Sequence, residues 1–316
     1  MAALHPGEIS DLLAGEVPIL IDSHESAKSL RGLEEPLGRL LEKGVRKTDV
    51  LIAVGGGIVQ DVVCFLASTM FRGMDWSFVP TTVLAQADSC IGSKSCVNAP
   101  SAKNVLGTIH GPREVVIWGG FRTTLAETEI RSGIGEMIKI HVLEGRKSFE
   151  EIAAAHPELL LRDSTMEEFI GRSLLLKRRW VEEDEFDRGP RNLLNYGHSF
   201  GHAIEAASDF SVAHGLAVTI GMDMANSLSA RIGRIPERER DRMRATLVEN
   251  VRGVDLKTLS AQRVLDAMAR DKKRVGERLA LILLGPGLRA EKVEVPCDAD
   301  FERWCSSYLE GSPFGR

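Results

Sequence analysis

Residues 49–69 read DVLIAVGGGIVQDVVCFLAST. Asp49–Val54 is apolar and strand-like. It runs straight into Gly55-Gly56-Gly57, and the stretch from Gln60 to Thr69 behind them reads as a helix. A strand that turns through glycines into a helix is the first half of a β-α-β unit. Glycines at such a turn let the backbone approach a ligand and leave helix N–H groups free for an anion. The triplet is not G-x-G-x-x-G, so it also fits a tight structural turn. Asp61, one turn on, suits a ribose contact or a solvent-facing position.

The same rhythm continues on both sides. Pro18–Asp22 is a short apolar run, and Leu30–Lys43 has helical periodicity that stops at Gly44, a plausible C-cap. Trp76–Val79 is a second strand, closed by Pro80-Thr81-Thr82. Val115–Trp118 is a further strand. Ligands of parallel sheets bind beyond the carboxyl ends of the strands, so the glycine turn and the threonines point to one crevice. Past about Gly120 the pattern turns helical: Glu127–Leu143, Met166–Asp184, His198–Ala207, Ala213–Ile232, Pro236–Val251 and Ser260–Lys273, with one late strand at Leu279–Leu284. A boundary near residues 118–122 is expected, with no internal repeat.

Bulk properties narrow the function classes. The chain has 316 residues, enough for two domains. A net charge of -5 argues against a nucleic-acid partner. No apolar run reaches the roughly 18 residues of a membrane span. The first residues lack the basic and apolar blocks of a signal peptide, so a cytoplasmic location is expected. The five cysteines form no C-x-x-C pair, which excludes the usual zinc-knuckle and thioredoxin spacings.

Three of the eight histidines fall in one window. Asn195-Tyr196-Gly197-His198-Ser199-Phe200-Gly201-His202 places two imidazoles at i and i+4, on one helix face. His214 follows in Ala213-His214-Gly215. Imidazole is a common zinc ligand. The spacing fits two ligands, or one ligand and one proton-handling group, or plain structural histidines. Offsetting a metal's charge calls for a carboxylate. Glu136, in Arg131-Ser132-Gly133-Ile134-Gly135-Glu136-Met137-Ile138-Lys139, is one candidate among many, and spacing does not select it. Lys94, Lys103, Asn104, Lys139, Lys177, Arg191 and Lys272-Lys273 supply cationic and polar groups that suit a phosphorylated substrate, or solvated faces.

Taken in order, these segments resemble the 3-dehydroquinate synthase family of sugar phosphate cyclases. The resemblance is carried by Asp88-Ser89-Cys90-Ile91-Gly92-Ser93-Lys94, Lys103-Asn104, Arg131-Ser132-Gly133 with Glu136 and Lys139, Arg191 through Ala203, and Ala213-His214-Gly215. It runs from about Ile19 to Leu284. It implies an α/β plus all-α fold: a partial Rossmann-like NAD-binding domain over 1–120 and a C-terminal helical metal- and substrate-binding domain over 121–316. By the same resemblance Glu136, His198 and His214 are the metal ligands, for zinc or alternatively cobalt. His202 lies beside the substrate without binding metal.

Lys94, Asn104, Lys139, Lys177, Arg191 and Asn195 correspond to groups that hold the substrate's carboxylate, hydroxyls and phosphate. Lys272, in preference to Lys273, corresponds to a late lysine near the phosphate. Arg72 corresponds to an arginine given across a homodimer interface. Gly55, Gly56, Gly57, Asp61, Thr81, Thr82, Asp88, Lys103 and Thr124 correspond to NAD contacts, with Glu25 and Lys28 on the adenosine side.

The implied reaction is conversion of a phosphorylated sugar acid, 3-deoxy-D-arabino-heptulosonate 7-phosphate, to 3-dehydroquinate and phosphate. Its alternatives are another cyclase (valiolone, inosose or amino-dehydroquinate type), a metal-dependent polyol dehydrogenase, or an inactive remnant. The remnant is motivated by a late start relative to the family, which would leave out the first strands and expose a sheet edge. Three substitutions depart from the family: Gln60 and Ser93 each replace a glycine, and Leu216 replaces a glutamate that would support the metal site.

Overall fold

The structure is a computed structural model that describes residues 5, 7, 18–99, 102–256, 259–269, 274–275, 278–311 and 314. The chain divides into two compact units, Met1–Ala126 and Glu127–Arg316. The division falls at 126 rather than 120. The turn Gly119–Thr124 belongs to the first unit because Phe121 packs against Val79 and Val54 there.

In the first unit, α1 (Glu34–Glu42) precedes β1 (Leu51–Gly55), α2 (Gly57–Thr69), β2 (Trp76–Pro80), β3 (Lys94–Ala99), β4 (Ala102–Ile109) and β5 (Glu114–Val115). The sheet order is β1-β2-β5, and both pairings are parallel. All five residues of β2 are buried, as a central parallel strand requires. In register, Gly55 stands beside Pro80, so the glycine turn and the Thr81-Thr82 turn leave the sheet at the same end. The strand expected at Val115–Trp118 forms instead at Glu114–Val115, before the chain enters the Gly119–Thr124 turn. The antiparallel pair β3–β4 was not apparent in the sequence, where lysine, serine and asparagine interrupt the apolar alternation.

The second unit contains α3 (Glu127–Glu144), α4 (Arg146–Leu159), α5 (Asp163–Glu183), α6 (His198–Ala207), α7 (His214–Arg231), α8 (Glu237–Asn250) and α9 (Ala261–Ala269). An antiparallel sheet β6-β7-β8 (Arg274–Val275, Arg278–Leu284, Ala290–Pro296) and α10 (Ala299–Glu310) complete it. Every residue of α3 from Ile130 to Val142 is buried, as is every residue of α7 from Gly215 to Asn226. A helix covered all round is a core helix. α3 and α7 pack on each other, with α4, α5, α6 and α8 around them.

The two core helices are tied at several points behind their contact. Gly215 N donates to Ser132 Oγ at 2.9 Å, and Asn250 Nδ2 donates to Arg131 O at 3.1 Å and to Thr219 Oγ1 at 3.2 Å. Among the described residues no helix is long and apolar enough to cross a membrane.

Candidate active site and metal centre

Three helices of the second unit converge on one carboxylate. Glu136 lies mid-way along α3 and is 1% exposed. His198 opens α6, directly after Gly197, whose φ of 79° makes the sharp turn out of the 3₁₀ segment Pro190–Asn195. His214 opens α7. Glu136 Oε1 lies 3.9 Å from His198 Nε2 and 3.4 Å from His214 Nε2. The other carboxylate oxygen, Oε2, accepts from Lys139 Nζ, one helical turn along α3. His202, one turn along α6, is exposed, and its ring centroid lies 5.4 Å from that of His198. One ring nitrogen from each of His198, His202 and His214 lies within 4.8 Å of the others.

The electrostatics favour a cation. Burial works against charge on His214, but hydrogen bonds to Glu136 and Glu205 outweigh it and push the imidazole up to about 10. Two carboxylates thus create a position that stabilises positive charge beside two imidazole nitrogens. A carboxylate with two imidazoles is a donor set of the catalytic-zinc kind. The donors gathered here, Glu136 with His198, His202 and His214, therefore fit a divalent metal.

The remaining nitrogens are also engaged. His198 Nδ1 lies 3.2 Å from Tyr196 O. The Tyr196 hydroxyl, fully buried, donates to Asn226 Oδ1 at 2.5 Å. His214 Nδ1 lies 3.1 Å from Glu205 Oε2. Leu216 is buried and gives no polar support; the carboxylate that meets His214 Nδ1 is Glu205. Sequence reading passed over Glu205, although it stands at i+7 from His198 on the same face of α6.

Lys177 on α5 and Arg191 are buried charged groups of the same unit. The Arg191 guanidinium is oriented by a 2.6 Å bond from Nη1 to Glu185 O, and its backbone is held by Asp184. Asn195 Nδ2 donates to Asn192 O at 3.0 Å. Their 3₁₀ segment packs against α3 and α5. Lys272 and Lys273 lie outside the described residues.

In the first unit two groupings form. Around the glycine turn, Thr81 N donates to Gly55 O at 2.9 Å, and a Cβ on Gly56 would stand 3.0 Å from Thr82 Cγ2. No side chain caps α2 at Gly56, so the N–H groups of its first turn are open to an anion. Gln60 is buried and bonds Ser89 both ways, Nε2 to Ser89 O and Ser89 Oγ to Oε1, each at 2.6 Å. It fastens α2 to the π-helical turn Ala85–Ser89 that carries Asp88.

The second grouping joins Glu25, Lys28, Asp61 and Asn104 through Asn98. Lys28 Nζ lies 2.7 Å from Asp61 Oδ2, and Cys96 N donates to Asp61 Oδ1 at 2.9 Å. Asp61 therefore does not face solvent. Burial opposes charge on Lys28, but Asp61 outweighs it and holds the ammonium protonated. Asn98 Nδ2 donates to Glu25 Oε1 at 2.8 Å, while Asn98 Oδ1 accepts from Asn104 N at 2.9 Å, Asn104 being in the left-handed region at φ 52°. Thr124 Oγ1 lies 2.9 Å from His5 Nε2. Lys94 opens β3 and Lys103 lies on β4. Phe71, Arg72 and Gly73 all have positive φ (51°, 62° and 110°), and the turn leaves Arg72 exposed.

The pairing of a parallel α/β unit carrying a glycine turn with a helical unit carrying a carboxylate–imidazole centre is shared with solved sugar phosphate cyclases. The structure superposes on 2-epi-5-epi-valiolone synthase from Streptomyces hygroscopicus subsp. jinggangensis, solved with NAD+ and Zn2+ bound. The TM-score is 0.85 and the identity 25%, covering 98% of this chain and 88% of that one. The family model for the 3-dehydroquinate synthase N-terminal region matches residues 18–132, and that for the C-terminal region matches 133–274. A 3-dehydroquinate synthase from Nitrosospira multiformis is 40% identical over 271 residues, which is 85% of this chain and 74% of the relative. One from Rhodopseudomonas palustris is 36% identical over 297 residues, 90% of this chain and 78% of the relative. The chain belongs to the 3-dehydroquinate synthase family.

Proposed function

We propose that the protein is a cyclising carbon–oxygen lyase that converts 3-deoxy-D-arabino-heptulosonate 7-phosphate to 3-dehydroquinate and phosphate, using NAD and a divalent metal, zinc or cobalt. The observation that carries this reading is the convergence of Glu136 with His198 and His214, beside His202 and Lys139. When bound, NAD supplies reversible hydride transfer and the metal polarises the reacting oxygen.

The chain's own residues bind and orient. Lys139 fixes one oxygen of Glu136 and so aims the other at the two imidazoles. Arg191, with its planar fork already oriented, suits a carboxylate or phosphate, and Lys177 adds a second buried cation. His202 is placed to exchange a proton with substrate. In the first unit Lys94 and Asn104 hold substrate oxygens. The α2 N-terminus with Gly55, Gly56 and Gly57 takes the dinucleotide's phosphates. Thr81, Thr82, Asp88, Lys103 and Thr124 line its path, with Glu25, Lys28 and Asp61 on the adenosine side. Holding reactants in one geometry lowers the entropic part of the barrier. The reading includes a cytoplasmic homodimer in which Arg72, projected by its strained turn, serves the neighbouring subunit's site.

Incubation with NAD, zinc and 3-deoxy-D-arabino-heptulosonate 7-phosphate releases inorganic phosphate on this reading. No release, with metal and NAD shown to be bound, rejects it. A second reading, a cyclase for a sugar phosphate lacking the carboxylate, is favoured by the close superposition on the valiolone synthase. A substrate panel scored by mass spectrometry separates the two.

A further inference from the structure

His214 presents its two nitrogens to two different carboxylates. Nε2 faces Glu136 Oε1 at 3.4 Å, and Nδ1 faces Glu205 Oε2 at 3.1 Å. We propose that Glu205 is a positioning residue for the metal: its carboxylate keeps the ring proton on His214 Nδ1 and so presents the Nε2 lone pair to the cation. The inference rests on the reading that Glu136, His198 and His214 hold a divalent metal.

Three features support it. Glu205 engages the ring from the side opposite Nε2, so it is an orienter and not a fourth ligand. Its side chain is 15% exposed, so solvent screens the contact weakly. The two histidines are also anchored unequally. His198 Nδ1 meets a neutral carbonyl, that of Tyr196, whereas His214 meets a charge. A charge-assisted bond is the stronger anchor and raises the basicity of the ligating nitrogen.

The placement has a structural logic. His198, His202 and Glu205 occupy i, i+4 and i+7 of α6, one face of one helix. That face supplies a ligand of its own and, through Glu205, the orientation of the ligand on α7. The buried Leu216 cannot perform this task from α7 itself.

The test is metal affinity, measured by competition with a chromophoric chelator on wild-type protein, E205A and E205Q, together with the visible spectrum of the cobalt-substituted forms. Thermal unfolding in EDTA reports the fold independently. E205A is expected to bind zinc about 10–100-fold more weakly, the usual cost of losing a ligand's hydrogen-bond partner, with a changed cobalt spectrum. E205Q retains an acceptor of the same size and should lose less. Wild-type affinity and an unaltered cobalt spectrum in both variants would overturn the proposal. If E205A does not fold, E205Q decides alone: weaker binding supports the role, and wild-type binding with the wild-type spectrum removes it. Failure of wild-type protein to take up zinc or cobalt would instead overturn the underlying metal reading.

Discussion

Gly135 on α3 and Gly215 on α7 meet so closely that a Cβ on Gly135 would stand 2.3 Å from the Gly215 carbonyl oxygen. A Cβ on Gly215 would stand 1.8 Å from the Ser132 carbonyl oxygen. Both glycines adjoin a proposed ligand, in Gly135-Glu136 and His214-Gly215. The helix contact therefore sets the separation of Glu136 and His214.

Gly215→Ala should force α3 and α7 apart. Overpacking of this kind costs about 1–3 kcal/mol, readable as a lower urea midpoint. Because the separation of Glu136 and His214 changes with it, metal content after dialysis should fall as well. A variant with wild-type midpoint and metal content would break the link between this contact and the centre.

His198→Ala and His202→Ala should separate the ligand from its neighbour. The first is expected to lose metal and turnover together. The second should keep its metal and lose turnover alone. Elemental analysis beside the phosphate-release assay distinguishes them, and full metal content in His198→Ala removes it from the ligand set.

Acid stability should depend on His141. The residue is fully buried on α3, with Nδ1 2.7 Å from Ser148 Oγ. Burial, reinforced by nearby Arg172 and only partly opposed by Ser148, Glu151 and Glu144, pushes its pKa down to about 4 from 6.5. The folded state therefore resists a proton that the unfolded chain accepts. The neutral histidine costs nothing above pH 6.5, and stability is lost as pH falls from there towards 4. The full shift corresponds to about 3 kcal/mol. His141→Asn, which cannot be protonated, should flatten the decline of the urea midpoint over this window. An unchanged slope would assign the acid sensitivity elsewhere.

Arg244→Met should be strongly destabilising. Asp223 is fully buried and takes a fork from Arg244, with bonds of 2.9, 3.0 and 2.8 Å, as well as the Tyr308 hydroxyl. Removing the cation strands a buried carboxylate, which costs about 3–5 kcal/mol. Adding Asp223→Asn to Arg244→Met should recover part of the loss. Equal stability of Arg244→Met and the double variant would show that the stranded carboxylate is not the source of the loss.

The α/β rhythm of the first unit was legible because β1 is a continuous apolar run and β2 is interrupted only by Ser77, the two closed by glycine and proline. The span of α6, His198–Ala207, was read as the structure has it. Other elements were hidden. Pro157 lies inside α4, and β8 mixes charges through its strand, so neither had a clean period. Of the centre, only the histidine window stood out. Helical phase pairs His198 with His202 and is silent on which helix packs opposite, so His214 could not be chosen by spacing. Glu136 was invisible for a different reason. Its helix is buried all round and has no polar face to mark the one carboxylate that matters. Glu205 was the readable omission, in phase with both histidines but meaningful only once α7 is in place.

The division of Glu136 between Lys139 and the imidazoles has a consequence for metal selection in the cell. With one oxygen engaged by the ammonium, the centre offers a single carboxylate oxygen and two nitrogens. Magnesium and calcium prefer oxygen ligands, whereas most of the donors here are imidazole nitrogens. Borderline ions that accept imidazole are served well. On the proposed ligand set, Lys139 would hold half of the Glu136 carboxylate away from the metal.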